Sequence, residues 1–164
     1  MPNPSPDPIA VLTLDNPPVN ALSADLLARL VAEFDAAAAD PAVEALVVTG
    51  ANGTFSGGAD LHGFGAAPRK PDLRDFIERI ERSEKPVIAA IPGVCVGGGL
   101  EVALACDERL AAPDARLGFP EIKRGLLPGA GGTQRAPRVM GLGPALELIL
   151  SGDPLPAALA RERR

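Results

Sequence analysis

The sequence predicts an α/β fold with a mainly parallel sheet, and three observations support this. Short apolar runs rich in β-forming residues alternate with amphipathic helical segments, which is typical of βαβ units. Stretches rich in glycine and proline separate these segments. The chain has 164 residues, 46% of them hydrophobic, which is enough for one core and too short for two domains. We therefore expect a flexible Pro-rich segment over residues 1–8 and a single domain over residues 9–164.

Three strands and two helices are predicted between residues 9 and 91. The strands follow apolar runs at Ile9–Leu14, Ala45–Thr49 and Val87–Ile91. Ser23 is the predicted N-cap of the first helix, which has about fourteen residues and ends at Asp40-Pro41. The second helix covers Asp72–Arg82. Apolar residues at helical spacing form the inward faces of both helices. These residues are Leu26, Leu27, Leu30, Val31 and Phe34 in the first helix, and Leu73, Phe76, Ile77 and Ile80 in the second.

Three helices and a short strand are predicted between residues 98 and 151. The helices cover Gly98–Cys106, Gly132–Val139 and Pro144–Ser151, and the strand covers Arg109–Ala112. The stretch Gly65–Pro71 is expected to be a mobile surface loop. The chain has five Phe and no Trp or Tyr, so we expect the core to depend on Val, Leu, Ile and Ala.

Composition excludes several classes of protein. The net charge of −5 argues against a nucleic-acid surface, because binding to phosphates requires a basic stripe. Met1–Pro8 has neither the basic start nor the apolar run of a signal peptide. Pro86–Leu100, the longest uncharged stretch, is too short to span a bilayer. Cys95 and Cys106 lack a CxxC spacing and are interpreted as small buried residues in a reducing compartment. We expect a soluble, cytosolic protein.

Two glutamates next to glycine-rich segments carry most of the functional signal. Glu101 ends the run Val96–Glu101, and Glu121 is followed closely by Pro128–Gly132. Glycines let a ligand oxygen approach the main chain, and a nearby carboxylate is suited to proton transfer beside a stabilised oxyanion. A third segment, Thr54–Leu61, follows a predicted strand and so lies at the carboxyl edge of the sheet, where open α/β sheets bind ligands.

Each of these features taken alone also has a purely structural interpretation. Glycine-rich segments are usually turns or helix starts, and Glu101 in a first helical turn often only complements the helix dipole. Glu121 after Pro120 is equally compatible with a solvent-facing residue at a helix start. His62 is interpreted as a wall or surface residue. Pro128–Gly132 lacks the Lys-Ser/Thr of a P-loop, and no GxGxxG follows a strand, so nucleotide hydrolysis and dinucleotide binding fit poorly.

Three motifs, in matching order and spacing, resemble the enoyl-CoA hydratase/isomerase (crotonase) superfamily. The motifs are Phe55–Leu61, Gly93–Glu101 running into Ala105–Asp107, and Leu117–Glu121 with Pro128–Arg135. The resemblance extends from about Ile9 to Leu155. The stretches Asn16–Ser23 and Ala112–Gly118 are most similar to the hydratase/isomerase half of bifunctional fatty-acid oxidation enzymes.

This resemblance implies a spiral of ββα turns that binds acyl-CoA thioesters. The N–H groups of Ala59 and Gly98 would hold the thioester carbonyl oxygen, and Glu101 and Glu121 would hold a water between them. Glu121 is the expected proton donor, and Gly129 would offer its N–H to the water. The resemblance implies no metal and no prosthetic group. Ala59, Asp60, Leu61 and His62 would line the pantetheine channel mostly through their backbone, and Asn20, Ala21 and Leu22 would lie near the nucleotide end.

The resemblance also predicts a departure from the family at the end of the chain. After Leu155, relatives continue through several helices that close the acyl pocket and build much of a trimer interface, whereas this sequence stops at Arg164. Truncation predicts weak or absent activity, abnormal assembly and uncovered apolar surface. Two functions therefore stay open: an enoyl-CoA hydratase with or without isomerase activity, and a non-catalytic acyl-CoA-binding or assembly subunit. A nicotinamide-binding module has only the glycine content in its favour.

Overall fold

Two β-sheets flanked by helices make up the part of the chain that this computed structural model describes, residues 8–60 and 70–163. The strands are β1 Ile9–Leu14, β2 Ala45–Gly50, β3 Val87–Ile91, β4 Val94–Val96, β5 Glu108–Ala111, β6 Arg116–Gly118 and β7 Leu155–Pro156. The helices are α1 Ala24–Ala39, α2 Leu73–Glu81, α3 Gly98–Ala105, α4 Gly132–Met140, α5 Leu142–Ser151 and α6 Ala157–Glu162, and a 3₁₀ helix covers Pro120–Arg124.

The pairing of the strands confirms the mainly parallel α/β architecture. The first sheet has the order β1-β2-β3-β5, and all of its pairs are parallel. The second sheet has the order β4-β6-β7, in which β4 and β6 are parallel and β6 and β7 are antiparallel. The chain passes from β3 through β4 into α3, and from β5 through β6 to the 3₁₀ helix and α4. Each of these two passages contributes one strand to the first sheet and one strand to the second sheet, and a helix then follows. The predicted spiral of ββα turns is therefore confirmed.

Local signals explain why the longer helices lie where the sequence predicts them. The Ser23 hydroxyl accepts a hydrogen bond from the Leu26 N–H at 3.3 Å and caps α1, which Asp40 ends. The predicted inward residues of α1 are all buried. Asp72 and Asp75 form a capping box at the start of α2, which carries Phe76 on its buried face. Phe76 meets Phe34 of α1 edge to face at 6.2 Å, joining the two helices.

The sequence analysis missed the short elements β4, β6, β7, α6 and the 3₁₀ helix. They span two to six residues, which is too few to show a hydrophobic period. The predicted strand Arg109–Ala112 begins and ends one residue earlier. Residues 65–69 of the predicted surface loop lie outside the described residues, as do residues 1–7 of the predicted flexible segment. The division of the chain at residue 9 stays a prediction.

The core consists mostly of Leu, Val, Ile and Ala, as predicted, and phenylalanines add to it. Phe55, Phe76 and Phe119 are among the largest fully buried side chains, packed with leucines and valines from the first sheet. Cys95 and Cys106 are free, buried thiols, as predicted. Burial raises the pKa of Cys106 to about 12 and also raises the pKa of Cys95, so neither thiol is activated as a nucleophile. Within residues 8–60 and 70–163, no helix has the length and apolar character needed to cross a bilayer.

Candidate active site

The structure brings together the two backbone amides that the sequence analysis singled out. Gly98 is the first residue of α3, so its N–H has no intrahelical acceptor. A Cβ added to Gly98 would lie 3.5 Å from the Ala59 nitrogen, and one added to Gly58 would lie 3.5 Å from the Gly98 nitrogen. None of the described residues accepts a hydrogen bond from the Ala59 N–H. The Ala59 and Gly98 nitrogens are therefore neighbours, and the role of their N–H groups as an oxyanion hole stays a prediction.

Close contact between two backbone segments creates this arrangement. Ser56 pairs with Cys95 of β4, and its carbonyl accepts a hydrogen bond from the Val96 N–H at 3.0 Å. A Cβ on Gly99 would lie 2.6 Å from the Ser56 Cβ, so only glycine permits this approach. Gly97 has φ +56° where it turns the chain from β4 into α3. The predicted helix start at the glycine run is therefore confirmed, and close packing is its physical reason.

The Asn20 side chain has an internal structural role, and the place predicted for this residue near the nucleotide end of the ligand stays a prediction. Its side chain is 1% exposed, and its Nδ2 donates to the carbonyls of Ala51 at 2.9 Å and Thr54 at 2.6 Å. The Asn20 carbonyl accepts a hydrogen bond from the Ser56 hydroxyl, which also receives the Gly58 N–H at 3.1 Å. The Asn20 side chain thus fixes the loop before Ala59, and contact of this side chain with a ligand is not supported.

The two residues after Asn20 differ in exposure. Leu22 is buried, donates its N–H to the Gly58 carbonyl at 2.8 Å, and pairs with Ala59. Its side chain packs near Gly98, where an added Cβ would meet the Leu22 Cδ1 at 3.2 Å. Ala21 and Asp60 are partly exposed. Leu61 and His62 lie outside the described residues, so the channel role predicted for them stays a prediction.

Glu101 points from α3 into the protein, toward the loop formed by residues 128–132. It is 2% exposed, and its Oε1 accepts hydrogen bonds from the N–H groups of Ala130 at 2.6 Å and Gly132 at 2.8 Å. Two charge-assisted bonds to backbone donors stabilise a buried carboxylate. Because the side chain has these partners across the fold, complementing the helix dipole does not account for its position.

Glu121 lies in the first turn of the 3₁₀ helix, after Pro120, and faces inward. Its Oε2 is buried and has no hydrogen-bond partner among the described residues, and its Oε1 lies 3.0 Å from where a Cβ of Gly97 would be. Burial raises the pKa of Glu121, and the neighbouring charge of Glu101 raises it further. The alternative of a solvent-facing residue is therefore wrong. A carboxyl group with a raised pKa and a buried oxygen that receives no hydrogen bond is suited to carrying a proton.

The loop formed by residues 128–132 is held from both sides by arginines that the sequence analysis missed. Arg74 of α2 donates from Nε at 3.2 Å and from Nη2 at 2.9 Å to the Gly129 carbonyl. Arg135 of α4 donates from Nη1 to the Ala130 carbonyl at 2.7 Å. Gly129 itself is exposed, with open space around it, so its N–H is accessible; its predicted contact with water stays a prediction. No local signal in the sequence marks either arginine.

An apolar cavity of about 590 Å³ lies apart from these groups. Its walls come from α3, α4, α5, α6 and β5, and include Leu104, Met140 and Leu148. Neither glutamate and neither oxyanion amide lines it, so the candidate site is identified by its convergent polar groups and not by this cavity. No group of three or more His, Cys, Asp or Glu side chains is placed to hold a metal ion within the described ranges.

Comparison with known proteins shows which family this chain is similar to. Residues 5–163 match the family model described as enoyl-CoA hydratase/isomerase. The peroxisomal bifunctional enzyme of Danio rerio is 51% identical over 144 residues, and the probable enoyl-CoA hydratase of Bacillus subtilis (strain 168) is 46% identical over 154 residues. The crystal structure of enoyl-CoA hydratase from Bacillus anthracis superimposes with a TM-score of 0.88 at 37% identity, covering 94% of this chain and 63% of that one.

The chain spans only part of the proteins it matches. The alignments cover 88% of this chain but 20% of the Danio rerio enzyme, and 90% of this chain but 60% of the Bacillus subtilis protein. The name of the Danio rerio relative places that protein in the peroxisome, and the cytosolic location expected for this chain stays a prediction. The match to the bifunctional enzyme confirms the predicted similarity to the hydratase half of such enzymes. By the family model, the relatives and the fold together, this chain belongs to the enoyl-CoA hydratase/isomerase family.

Proposed function

We propose that this chain carries the active site of an enoyl-CoA hydratase, which adds water across the C2=C3 double bond of a 2-enoyl-CoA thioester. The observation that carries the proposal is the contrast between two neighbouring carboxylates. Glu101 is held by two backbone N–H groups, whereas Glu121 has a raised pKa and a buried oxygen without a partner among the described residues. Two carboxyl groups in different environments are suited to act as base and acid.

The backbone amides supply the electrostatic part of the proposed mechanism. The N–H groups of Ala59 and Gly98 bind the thioester carbonyl oxygen and stabilise the enolate that forms when a nucleophile adds at C3. The dipole of α3 adds positive potential at Gly98, because this residue opens the helix. Both amides are fixed by backbone packing, so they need no reorganisation during the reaction.

The two glutamates then move the protons. Glu101, as carboxylate, takes a proton from a water molecule while the water oxygen bonds to C3. Glu121, as carboxylic acid, delivers its proton to C2, and the electrons of the double bond form the new C–H bond through the enolate. A raised pKa keeps a larger fraction of Glu121 protonated near neutral pH. Exchange with solvent then removes the proton from Glu101 and returns a proton to Glu121, which restores the starting state.

The substrate and the pathway follow from the relatives' names and not from contacts. The bifunctional relatives include proteins named for fatty-acid β-oxidation, so we place the proposed reaction in that process or in related acyl-CoA catabolism. No metal and no prosthetic group is assigned a step in this mechanism. We also infer that the chain self-associates, since apolar side chains are exposed on α5.

Loss of the conjugated enoyl thioester absorbance, followed with purified protein, tests the proposal. Glu101→Gln and Glu121→Gln are each expected to lower kcat by about 10²- to 10⁴-fold, since each removes one proton-transfer group. Glu33→Gln is the matched control, because Glu33 lies on the surface of α1 in an ion pair with Arg29. Its activity should equal that of the wild type.

Two results would contradict the hydratase proposal in different ways. Conversion of a 3-enoyl thioester to the 2-enoyl form without hydration would favour the isomerase alternative. Binding of acyl-CoA without any turnover at high enzyme concentration would favour the non-catalytic acyl-CoA-binding or assembly subunit.

A further inference from the structure

We propose that Arg74 is a positioning residue for Glu101, acting through the peptide group that joins Gly129 to Ala130. The guanidinium binds the carbonyl of this peptide group, and the N–H of the same group binds the Glu101 carboxylate. The inference depends on the proposed function only in treating Glu101 as the base of the reaction.

The first step is the geometry of one peptide plane. The Gly129 carbonyl and the Ala130 N–H belong to the same planar unit, so holding one end orients the other. Arg74 holds the carbonyl with two donors, Nε at 3.2 Å and Nη2 at 2.9 Å. The Ala130 nitrogen lies 2.6 Å from the Glu101 Oε1. A cation at the carbonyl polarises the peptide group and makes its N–H a stronger donor to the carboxylate.

The second donor to Glu101 is supported in a parallel way, but by backbone alone. The Gly132 N–H shares its peptide group with the Gly131 carbonyl, which accepts the N–H groups of Gln134 and Arg135, each at 2.9 Å. The first turn of α4 therefore orients this second peptide group. Arg74 therefore orients the peptide group that carries the Ala130 N–H, and the first turn of α4 orients the peptide group that carries the Gly132 N–H.

The carbonyl between these two peptide groups is also bound. The Arg135 Nη1 donates to the Ala130 carbonyl at 2.7 Å, and the Arg135 Nε is paired with Glu81 of α2 at 2.8 Å. This pairing lowers the pKa of Glu81. Glu81 and Arg135 belong to α2 and α4, so the ion pair ties the loop to the same helix that carries Arg74. Three consecutive carbonyls are therefore fixed, and within residues 8–60 and 70–163 the donor to the exposed one, at Gly129, is Arg74.

The start of α2 contacts both halves of the candidate site. The capping box of Asp72 and Asp75 fixes this helix end, and Leu73 follows directly. A Cβ added to Gly98 would meet the Leu73 Cδ2 at 2.9 Å, so Leu73 packs against the residue that supplies an oxyanion amide. Arg74, the next residue, reaches the Glu101 loop. The start of α2 therefore places Leu73 against Gly98 and Arg74 against the loop that binds Glu101.

The kinetic arm of the experiment compares Arg74→Gln, Arg74→Lys and Arg82→Gln with the wild type. Arg74→Gln is expected to lower kcat about tenfold with less than about a twofold change in KM, because positioning of a base affects the chemical step. Arg74→Lys should recover part of kcat, since it keeps the charge but loses the paired donors. Arg82, at the other end of α2, forms an ion pair with Glu78 on the surface and serves as the matched control.

A spectroscopic arm tests the inference independently of turnover. An N–H bound to a carboxylate has a downfield amide proton shift, so Arg74→Gln should move the Ala130 amide proton upfield and leave the Gly132 amide proton nearly unchanged. If the wild type shows no hydratase activity, the proposed function fails while this arm still tests the role of Arg74.

Three results would overturn the inference. An unchanged Ala130 amide shift in Arg74→Gln would show that the guanidinium does not act on this peptide group. A raised KM with unchanged kcat would assign Arg74 to substrate binding. Equal losses of kcat in Arg74→Gln and Arg82→Gln would show a general effect of altering α2.

Discussion

At the scale of single residues, the environment decides what each glutamate can do. Glu101 and Glu121 have the same side chain, and both turn inward, but their partners differ. Glu101 receives two backbone N–H groups, which suit a carboxylate, whereas the buried oxygen of Glu121 has no donor within the described structure. Residue type alone therefore does not distinguish a base from an acid, and the surrounding atoms do.

The raised pKa of Glu121 predicts a stability that depends on pH. Burial raises this pKa above its ordinary value of 4.5, so the folded protein holds the proton more tightly than the unfolded chain does. The stabilisation from this group is complete below pH 4.5 and is lost as the pH rises through the raised pKa. Glu121→Gln should therefore be more stable than the wild type at pH 7, by no more than about 1 kcal/mol because solvent screens a half-buried group.

Urea denaturation between pH 4 and pH 8 measures this difference. The gain in the free energy of unfolding of Glu121→Gln over the wild type should shrink toward pH 4, and Glu33→Gln should show no such trend. A Glu121→Gln protein that is less stable than the wild type at pH 7 would contradict the prediction. Gain of stability with loss of activity is expected where a catalytic group is held in an unfavourable environment.

At the scale of secondary-structure elements, the start of α3 depends on close packing that only glycine allows. Gly99→Ala is expected to lower the free energy of unfolding by about 1–3 kcal/mol, because its Cβ would lie 2.6 Å from the Ser56 Cβ and 3.0 Å from the Ser56 carbonyl oxygen. Gly143→Ala in α5 is the control: no heavy atom lies within 4 Å of its added Cβ, so a change under about 0.5 kcal/mol is expected.

Thermal or urea denaturation of the two alanine variants tests this contrast. Equal stability of Gly99→Ala and Gly143→Ala would mean that the approach of α3 to Ser56 is not tight in solution. Loss of hydratase activity in Gly99→Ala, measured where the variant is fully folded, would further link this packing to the neighbouring amide of Gly98.

The elements also show which sequence signals are sufficient to predict a helix or a strand. The cap at Ser23 and a long buried face predicted α1 closely, because both signals are local. The strands β4 and β6 have three residues each, and their pairing of Val94 with Arg116 joins distant parts of the chain. Such strands are stabilised by partners that no short window of sequence contains, so periodicity did not reveal them.

At the scale of the whole molecule, α5 exposes a row of leucines. Leu142, Leu146 and Leu150 are 65%, 45% and 60% exposed, and their spacing of four residues places them on one helical face. Exposed apolar rows of this kind favour association. This observation fits the uncovered apolar surface that the sequence analysis expected on the last helices.

This row predicts self-association through α5. Leu146→Lys is expected to lower the average mass measured by light scattering, because it places a charge in the middle of the apolar row. Val11→Lys serves as a control, since Val11 is 60% exposed and lies on β1. An identical mass for the wild type and Leu146→Lys at the same concentration would contradict association through this face.

The sequence by itself predicted the fold class and most of the longer elements, and its motifs indicated the family by resemblance and, with it, the candidate site residues. It could do so because caps, hydrophobic periods and glycine motifs are local features that are read within a few residues. Only the tertiary structure decided that Ala59 and Gly98 are neighbours, that Asn20 turns inward, and that one carboxylate oxygen of Glu121 is buried. It also showed that Arg74 binds the peptide group whose N–H donates to Glu101. These are contacts between residues far apart in the chain, and their energies depend on burial and on partners that folding alone brings together.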